Sequence, residues 1–264
     1  MRVNFSGSHL LMESSKKIID DNIFVGCAGF SNRDWKDIFY PENLSSKDYL
    51  SYYSQQLNAV EINSTFYRRP QVKTLEKMYN ETPIDFKFFI KIPKTITHLK
   101  KLDETKEITE EFCIYIQLYL KEKLAGFLFQ LSPSFHYSEQ NLFKVLETVN
   151  SQFLNVFEFR HESWWNEDVL KDLEQKNIVF AGVSIPKNIP DDFIINNTNF
   201  AYYRLHGVPT LFKSEYSNDF IKKLAENIQK FKRTTFVMFN NTWGNAGIKN
   251  ALELKKILKK INNF

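Results

Sequence analysis

Eight short runs of β-branched and aromatic residues recur along this 264-residue chain, and nearly every one is followed by a stretch with helical spacing of its apolar residues. The runs are Ile23–Gly29, Ala59–Ile62, Phe86–Ile92, Gly126–Leu131, Val156–His161, Ile178–Ser184, Tyr202–Gly207 and Thr235–Asn241. Helices are predicted from Ser45/Ser46 to Leu57 and over Gln71–Asn80, Ile108–Lys123, Ser138–Val149, Trp164–Lys176, Phe220–Phe231 and Gly247–Ile261, with a poorly defined one within Asp191–Asn197. Strand and helix alternate at intervals of roughly 25 to 35 residues with no break in composition, the rhythm of a (β/α)8 barrel with a parallel eight-stranded core. A doubly wound open sheet also alternates, but the chain has neither a G-x-G-x-x-G nor a P-loop. The polar, patternless stretch Met1–Asn22 reads as a tail, and residues 23–264 as one barrel domain.

Composition narrows the setting. Hydrophobic residues make up 43% and charged residues 25%, which suits a folded chain with a full core. A formal charge of +4 fits an anionic ligand but is too small to argue for nucleic acid by itself. Cys27 and Cys113 lack the spacing of a zinc site and read as reduced thiols. With no leader-like apolar run near the start and no membrane-length apolar stretch, the expectation is a cytoplasmic protein with no membrane partner.

In a parallel barrel the outer strand face packs on helices, so a charge near a strand's C-terminal end points to the lumen or the active-site mouth. Alternation along the strands selects Glu61 with Asn63, Lys91, Gln130, Glu158 with Arg160, Arg204 with His206, and Asn240. Three cations, Lys91, Arg160 and Arg204, face two carboxylates, and the surplus invites an anion. Glu61 and Glu158 could divide general acid and base work, with His206 as proton carrier. The structural alternative pairs each carboxylate with an arginine. His98 and His161 lie at loop and strand-end positions nearby. Gly207 and the run Gly244–Gly247 stand where barrels often hold phosphate on backbone N–H groups. Trp35, Tyr67 and Trp164 follow strand ends, where rings can stack on a ligand or pack under loops. No cofactor is predicted; a divalent metal on Glu61, Glu158 and His206 is the alternative, without any H-x-x-x-H or D-x-D spacing behind it.

Taken as an ordered set, these motifs resemble the YecE-like family of bacterial and archaeal proteins. The resemblance runs from about Phe24 to the C-terminus. It is carried by Gly26-Cys27-Ala28-Gly29-Phe30, Val60-Glu61-Ile62-Asn63-Ser64-Thr65-Phe66-Tyr67, Lys91 with Thr97-His98, Leu128-Phe129-Gln130-Leu131, Glu158-Phe159-Arg160-His161 with Ser163-Trp164, Tyr203-Arg204-Leu205-His206-Gly207 and Phe239-Asn240-Asn241. It implies a TIM-barrel fold and no established reaction. The chain departs from the family pattern at Ala28 and Phe30, where Ser and Trp are usual, and at Ser184, where an Asp usually ends the sixth strand. The expected function is an enzyme, a hydrolase or an isomerase, acting on a phosphorylated or carboxylated small molecule. In that reading Glu61, Glu158 and His206 are catalytic, and Asn63, Tyr67, Lys91, His98, Gln130, Arg160, Arg204, Asn240, Trp35 and Trp164 bind substrate. Two alternatives stay open: a nucleic-acid-binding or metal-dependent phosphodiesterase-like barrel, and a non-catalytic ligand sensor.

Overall fold

The computed structural model describes residues 22–187, 189, 195 and 197–262. The predicted tail, apart from Asn22, and most of the segment Asp191–Asn197 lie outside the described residues. Nine strands, β1 (Ile23–Cys27), β2 (Ala59–Ile62), β3 (Lys87–Lys91), β4 (Leu124–Gln130), β5 (Asn155–Glu158), β6 (Ile178–Phe180), β7 (Gly182–Ser184), β8 (Phe200–Leu205) and β9 (Thr234–Phe239), form one sheet. Its order is β6-β5-β4-β3-β2-β1-β9-β8-β7, and every hydrogen-bonded pair is parallel. The predicted count of eight is corrected to nine because the expected run Ile178–Ser184 is divided at Ala181. Its first half pairs with β5 and its second half with β8. The two edge strands of the sheet are therefore consecutive in the chain, one residue apart, which all but closes the barrel.

Helices α1 (Tyr49–Gln56), α2 (Val72–Asn80), α3 (Lys106–Leu120), α4 (Glu139–Thr148), α5 (Glu167–Gln175), α6 (Asn218–Phe231) and α7 (Ala246–Asn262) connect the strands. Local chemistry sets their starts: Ser138 Oγ accepts the Asn141 N–H at 3.1 Å, and Ser217 Oγ accepts that of Phe220 at 3.2 Å. Asn166 caps α5 by accepting the Val169 N–H at 2.9 Å, so this helix begins after the predicted Trp164, which sits in a 3-10 turn instead.

Two apolar layers follow from the period-two alternation of the strands. Outward residues such as Val60, Phe88, Phe127, Phe157 and Leu205 pack against the helices. Inward residues, among them Ala59, Phe89, Leu128, Val156, Tyr202 and Met238, form a separate buried cluster that fills the lumen. Two residues further along the same faces come Glu61, Lys91, Gln130, Glu158, Arg204 and Asn240, so a polar layer rests directly on the apolar plug. Strands β1 and β2 approach so closely that a Cβ on Gly26 would lie 2.1 Å from the Ala59 carbonyl oxygen. Gly26→Ala is expected to cost at least about 2 kcal/mol through forced separation of the two backbones, read as a lower urea midpoint. An unchanged midpoint would show that the strands yield freely there.

Candidate active site at the barrel mouth

Arg204 is the hub of the polar layer. Its guanidinium grips Glu61 in two places, Nε donating to Oε2 at 2.9 Å and Nη2 to Oε1 at 2.6 Å. Its Nη1 donates to Glu158 Oε2. Tyr202, two residues back on the same face of β8, donates its hydroxyl to Glu61 Oε2 at 2.7 Å. Arg160 Nε donates to the other oxygen of Glu158. All four members of the pairs Glu61–Arg204 and Glu158–His206 are fully buried. Burial of such charges is costly unless geometry and hydrogen bonding are good, and here both carboxylates are ion-paired and hydrogen-bonded.

These contacts set the protonation of the cluster. Burial alone would raise the Glu158 carboxyl, but the charges of Arg160 and Arg204, aided by His206, hold it well below the usual carboxylate range. Burial lowers Arg204, yet Glu158 and Glu61 outweigh it and keep the guanidinium firmly charged. Burial and the neighbouring Glu61 charge push the Tyr202 hydroxyl well up. His206 is drawn down to about 4, mainly by burial, although Glu158 pulls the other way. A neutral His206 satisfies both ring nitrogens: Nε2–H donates to Glu158 Oε2 at 3.2 Å, and Nδ1 accepts from Asn240 Nδ2 at 2.8 Å.

Above this pair network the cations are less evenly matched. Gln130 Oε1 accepts from Lys91 Nζ at 2.9 Å, from Arg160 Nη2 at 3.4 Å and from Arg204 Nη1 at 3.4 Å. Three positive groups thus converge on one neutral oxygen. Lys91 Nζ also lies 4.4 Å from the centre of the Phe66 ring and has no carboxylate partner among the described residues. Burial lowers the Lys91 ammonium to about 8, and the Arg204 charge adds to the fall. His98, half-buried, packs its ring edge-on to Phe66 with centroids 5.0 Å apart. Burial lowers its pKa, and the charges of Lys91 and Arg160 lower it further.

Of the thirteen residues singled out in the sequence, Glu61, Lys91, Gln130, Glu158, Arg160, Arg204, His206 and Asn240 meet in this one network, with His98 at its border. Four others stand elsewhere. Asn63 lies past the end of β2 and lines a separate cavity of about 510 Å³ with Phe30, Leu50, Met78 and Lys47. Its Oδ1 is buried without a hydrogen-bond partner among the described residues. Tyr67 is 74% exposed on the rim, edge-packed with Phe66 at 5.1 Å and with Lys94 Nζ 5.8 Å from its ring centre. The reading of Trp35 and Trp164 as ligand-stacking groups is corrected: both are buried, Trp35 stacked on Tyr53 and Trp164 on Phe159. Their indole N–H groups are engaged with the Gly244 and Phe135 carbonyls at 2.9 and 2.7 Å. His161 is likewise apart, capping its own loop through Ser163 and stacked on His136.

Two of the backbone donors expected in an anion cradle are already engaged. The Gly207 N–H donates to the Tyr216 hydroxyl and the Gly247 N–H to the Asn241 carbonyl, each at 2.9 Å, so both donors are committed within the fold. The Ser184 departure also falls outside the network, because its hydroxyl accepts from Tyr216 at 2.8 Å and its strand neighbour is the helix-facing Leu205. As for a metal, Glu61, Glu158 and His206 turn their donor atoms to arginines and to one another, and no group of three His, Cys, Asp or Glu among the described residues is arranged to hold an ion. Sequence reasoning missed Tyr202, which alternation places with Arg204 and His206, and Trp243, which is 70% exposed just past β9 with Lys213 over its ring. Cys27 and Cys113 are free and buried, and burial pushes both thiols up, away from reactivity. No helix among the described residues is long and apolar enough to cross a membrane.

A parallel, nearly closed sheet ringed by helices, with its charged side chains crowded at the C-terminal ends of the strands, defines a TIM-barrel-like α/β protein with a candidate site in the barrel mouth. Within that class the chain belongs to the DUF72 family, described as "Protein of unknown function DUF72", whose model matches residues 24–263. The UPF0759 protein YecE of Escherichia coli K12 is 26% identical over 144 residues, 54% of this chain and 50% of YecE. The chain thus spans about half the length of the curated relatives it matches. A DUF72 family protein from Thermotoga maritima is 32% identical, with a TM-score of 0.80 over 90% of this chain and 99% of that one. A second, from Enterococcus faecalis, is 21% identical, with a TM-score of 0.75 over 90% of this chain and 95% of its own.

Proposed function

We propose that the chain is an enzyme for a small phosphorylated or carboxylated molecule, bound in the barrel mouth. The observation that carries this reading is the convergence of Lys91, Arg160 and Arg204 on the single oxygen of Gln130. Arg204 is spent on Glu61 and Glu158, and Arg160 shares Glu158, so with His206 neutral the cluster keeps one uncompensated positive charge. Such a charge in a poorly hydrated mouth favours an anion in place of, or beside, the Gln130 amide. Glu61 and Glu158 are fully buried, which suits them to hold Arg204, Arg160 and His206 in position. Proton transfer to a bound molecule then falls to His98, half-buried beside Lys91, with the Glu158–His206–Asn240 chain as a buried reserve.

Titration calorimetry with inorganic phosphate is the test. Binding should weaken at least tenfold in Arg160→Gln and fall with rising salt. Phosphate that fails to bind, or binds equally to that variant, would sink the reading. A second reading, a phosphodiester substrate, is favoured by the exposed rings of Tyr67 and Trp243, each with a lysine over its face. A short single-stranded oligonucleotide in the same titration separates the two: binding much tighter than that of phosphate supports the second.

A further inference from the structure

Lys91 has a set of neighbours that an anion-binding lysine does not need. Its Nζ is nearly buried at the end of β3, donates to the neutral Gln130 oxygen, rests on the Phe66 ring and shares that oxygen with two guanidiniums. Both carboxylates of the cluster are taken by arginines, and none reaches Lys91 among the described residues. A lysine desolvated and set beside other cations is the arrangement that releases an amine as a nucleophile.

We propose that Lys91 captures the carbonyl carbon of an anionic aldehyde or ketone, a 2-oxo acid or a phosphorylated carbonyl compound, as an imine. The inference rests on the anion site proposed above and names its substrate class. Arg160 holds the carboxylate or phosphate, which brings the carbonyl to Nζ. The lone pair of the neutral amine forms a C–N bond while the carbonyl π pair moves to oxygen, and that oxygen takes a proton to give a carbinolamine. Nitrogen gives up one proton in that exchange. Its lone pair then forms the C=N bond as the hydroxyl takes a second proton, the C–O bond breaks and oxygen leaves as water, and loss of the last N–H proton from the resulting iminium replaces the one taken up. The sum is amine plus carbonyl giving imine plus water, with no oxidant or reductant. His98 is the neighbour placed to pass these protons, since its ring packs on the same Phe66. The lowered ammonium, about 8, leaves roughly a tenth of the amine neutral at pH 7, far more than an unperturbed lysine keeps.

The experiment is reductive trapping on the full chain. Pyruvate, dihydroxyacetone phosphate and uncharged dihydroxyacetone are each incubated with cyanoborohydride, followed by intact mass measurement and peptide mapping. The expected result is one adduct per chain, located on Lys91, formed at least tenfold faster with the anionic carbonyls and suppressed by inorganic phosphate. Lys91→Arg should abolish it. Were that variant to misfold, phosphate protection mapped on the unaltered chain gives the same decision. Adducts scattered over surface lysines, or none at Lys91, while phosphate still binds in calorimetry, would overturn the imine and leave the anion site standing. Loss of both adduct and phosphate binding would overturn the two together.

Discussion

Arg204→Met is expected to remove about 3 to 5 kcal/mol of folding stability, the range found when one partner of a buried ion pair is deleted. The guanidinium is fully buried and serves two fully buried carboxylates at once. Without it, Glu61 keeps among the described residues only the Tyr202 hydroxyl, and Glu158 keeps Arg160 and His206. Arg204→Lys should rescue little, because a single ammonium cannot offer the fork that meets both oxygens of Glu61 while touching Glu158. Arg204→Met combined with Glu61→Gln should recover part of the loss, since the stranded charge goes with its partner. Urea denaturation of the four proteins checks this. A loss below about 1 kcal/mol in Arg204→Met would show that water reaches these carboxylates and the network is not the dry one described.

Stability should also fall as the solution is acidified from about pH 6.5, the ordinary histidine value, toward 4. His206 is held neutral in the fold down to about 4, while in the unfolded chain it protonates near 6.5. Between those values the unfolded state binds more protons, so stability rises with pH, by on the order of 3 kcal/mol across the window. Glu158 acts in the same direction but lower down. Its folded value lies well below the ordinary one, so its contribution is present above the unfolded pKa and is lost as pH falls past it. His206→Gln should therefore flatten most of the limb between pH 6.5 and 4, His98 supplying the remainder, while leaving the steeper loss below it. A stability curve in which the unaltered protein is already flat over that window would show a protonated His206 in the native state.

The polar layer was legible in the sequence because strand side chains alternate strictly, and a parallel barrel leaves only one place for a mid-strand charge. That argument brought Glu61, Lys91, Gln130, Glu158, Arg160, Arg204, His206 and Asn240 to one mouth. It did not yield the pairing, because Glu61 and Arg204 are 143 residues apart and which carboxylate meets which arginine depends on the stagger between strands. Tyr202 escaped because an aromatic residue in an apolar run reads as packing, and its polar end matters only once Glu61 is known to lie opposite. Trp35 and Trp164 were misread for a related reason. A loop position after a strand end does not say which way a ring turns, and both indoles turn under the loops onto other aromatics. The break at Ala181 has one signal beside it, Gly182, since a glycine inside a strand pattern marks a bend or bulge, but the apolar residues on either side make Ile178–Ser184 read as a single run.

That break has a mechanical consequence. Everywhere else around the cylinder, neighbouring strands are stitched by backbone hydrogen bonds, but between the two halves of the divided strand the wall is joined by the covalent chain at one residue. Strands β5 and β8 flank this seam, and they carry Glu158 on one side and Arg204 with His206 on the other. The charged contacts across the gap are rivets as well as chemistry. If an anion binds in the mouth as proposed, drawing Arg160 or Arg204 toward it would slacken the rivets at this line, and occupancy would be coupled to the stiffness of the barrel through the same few atoms.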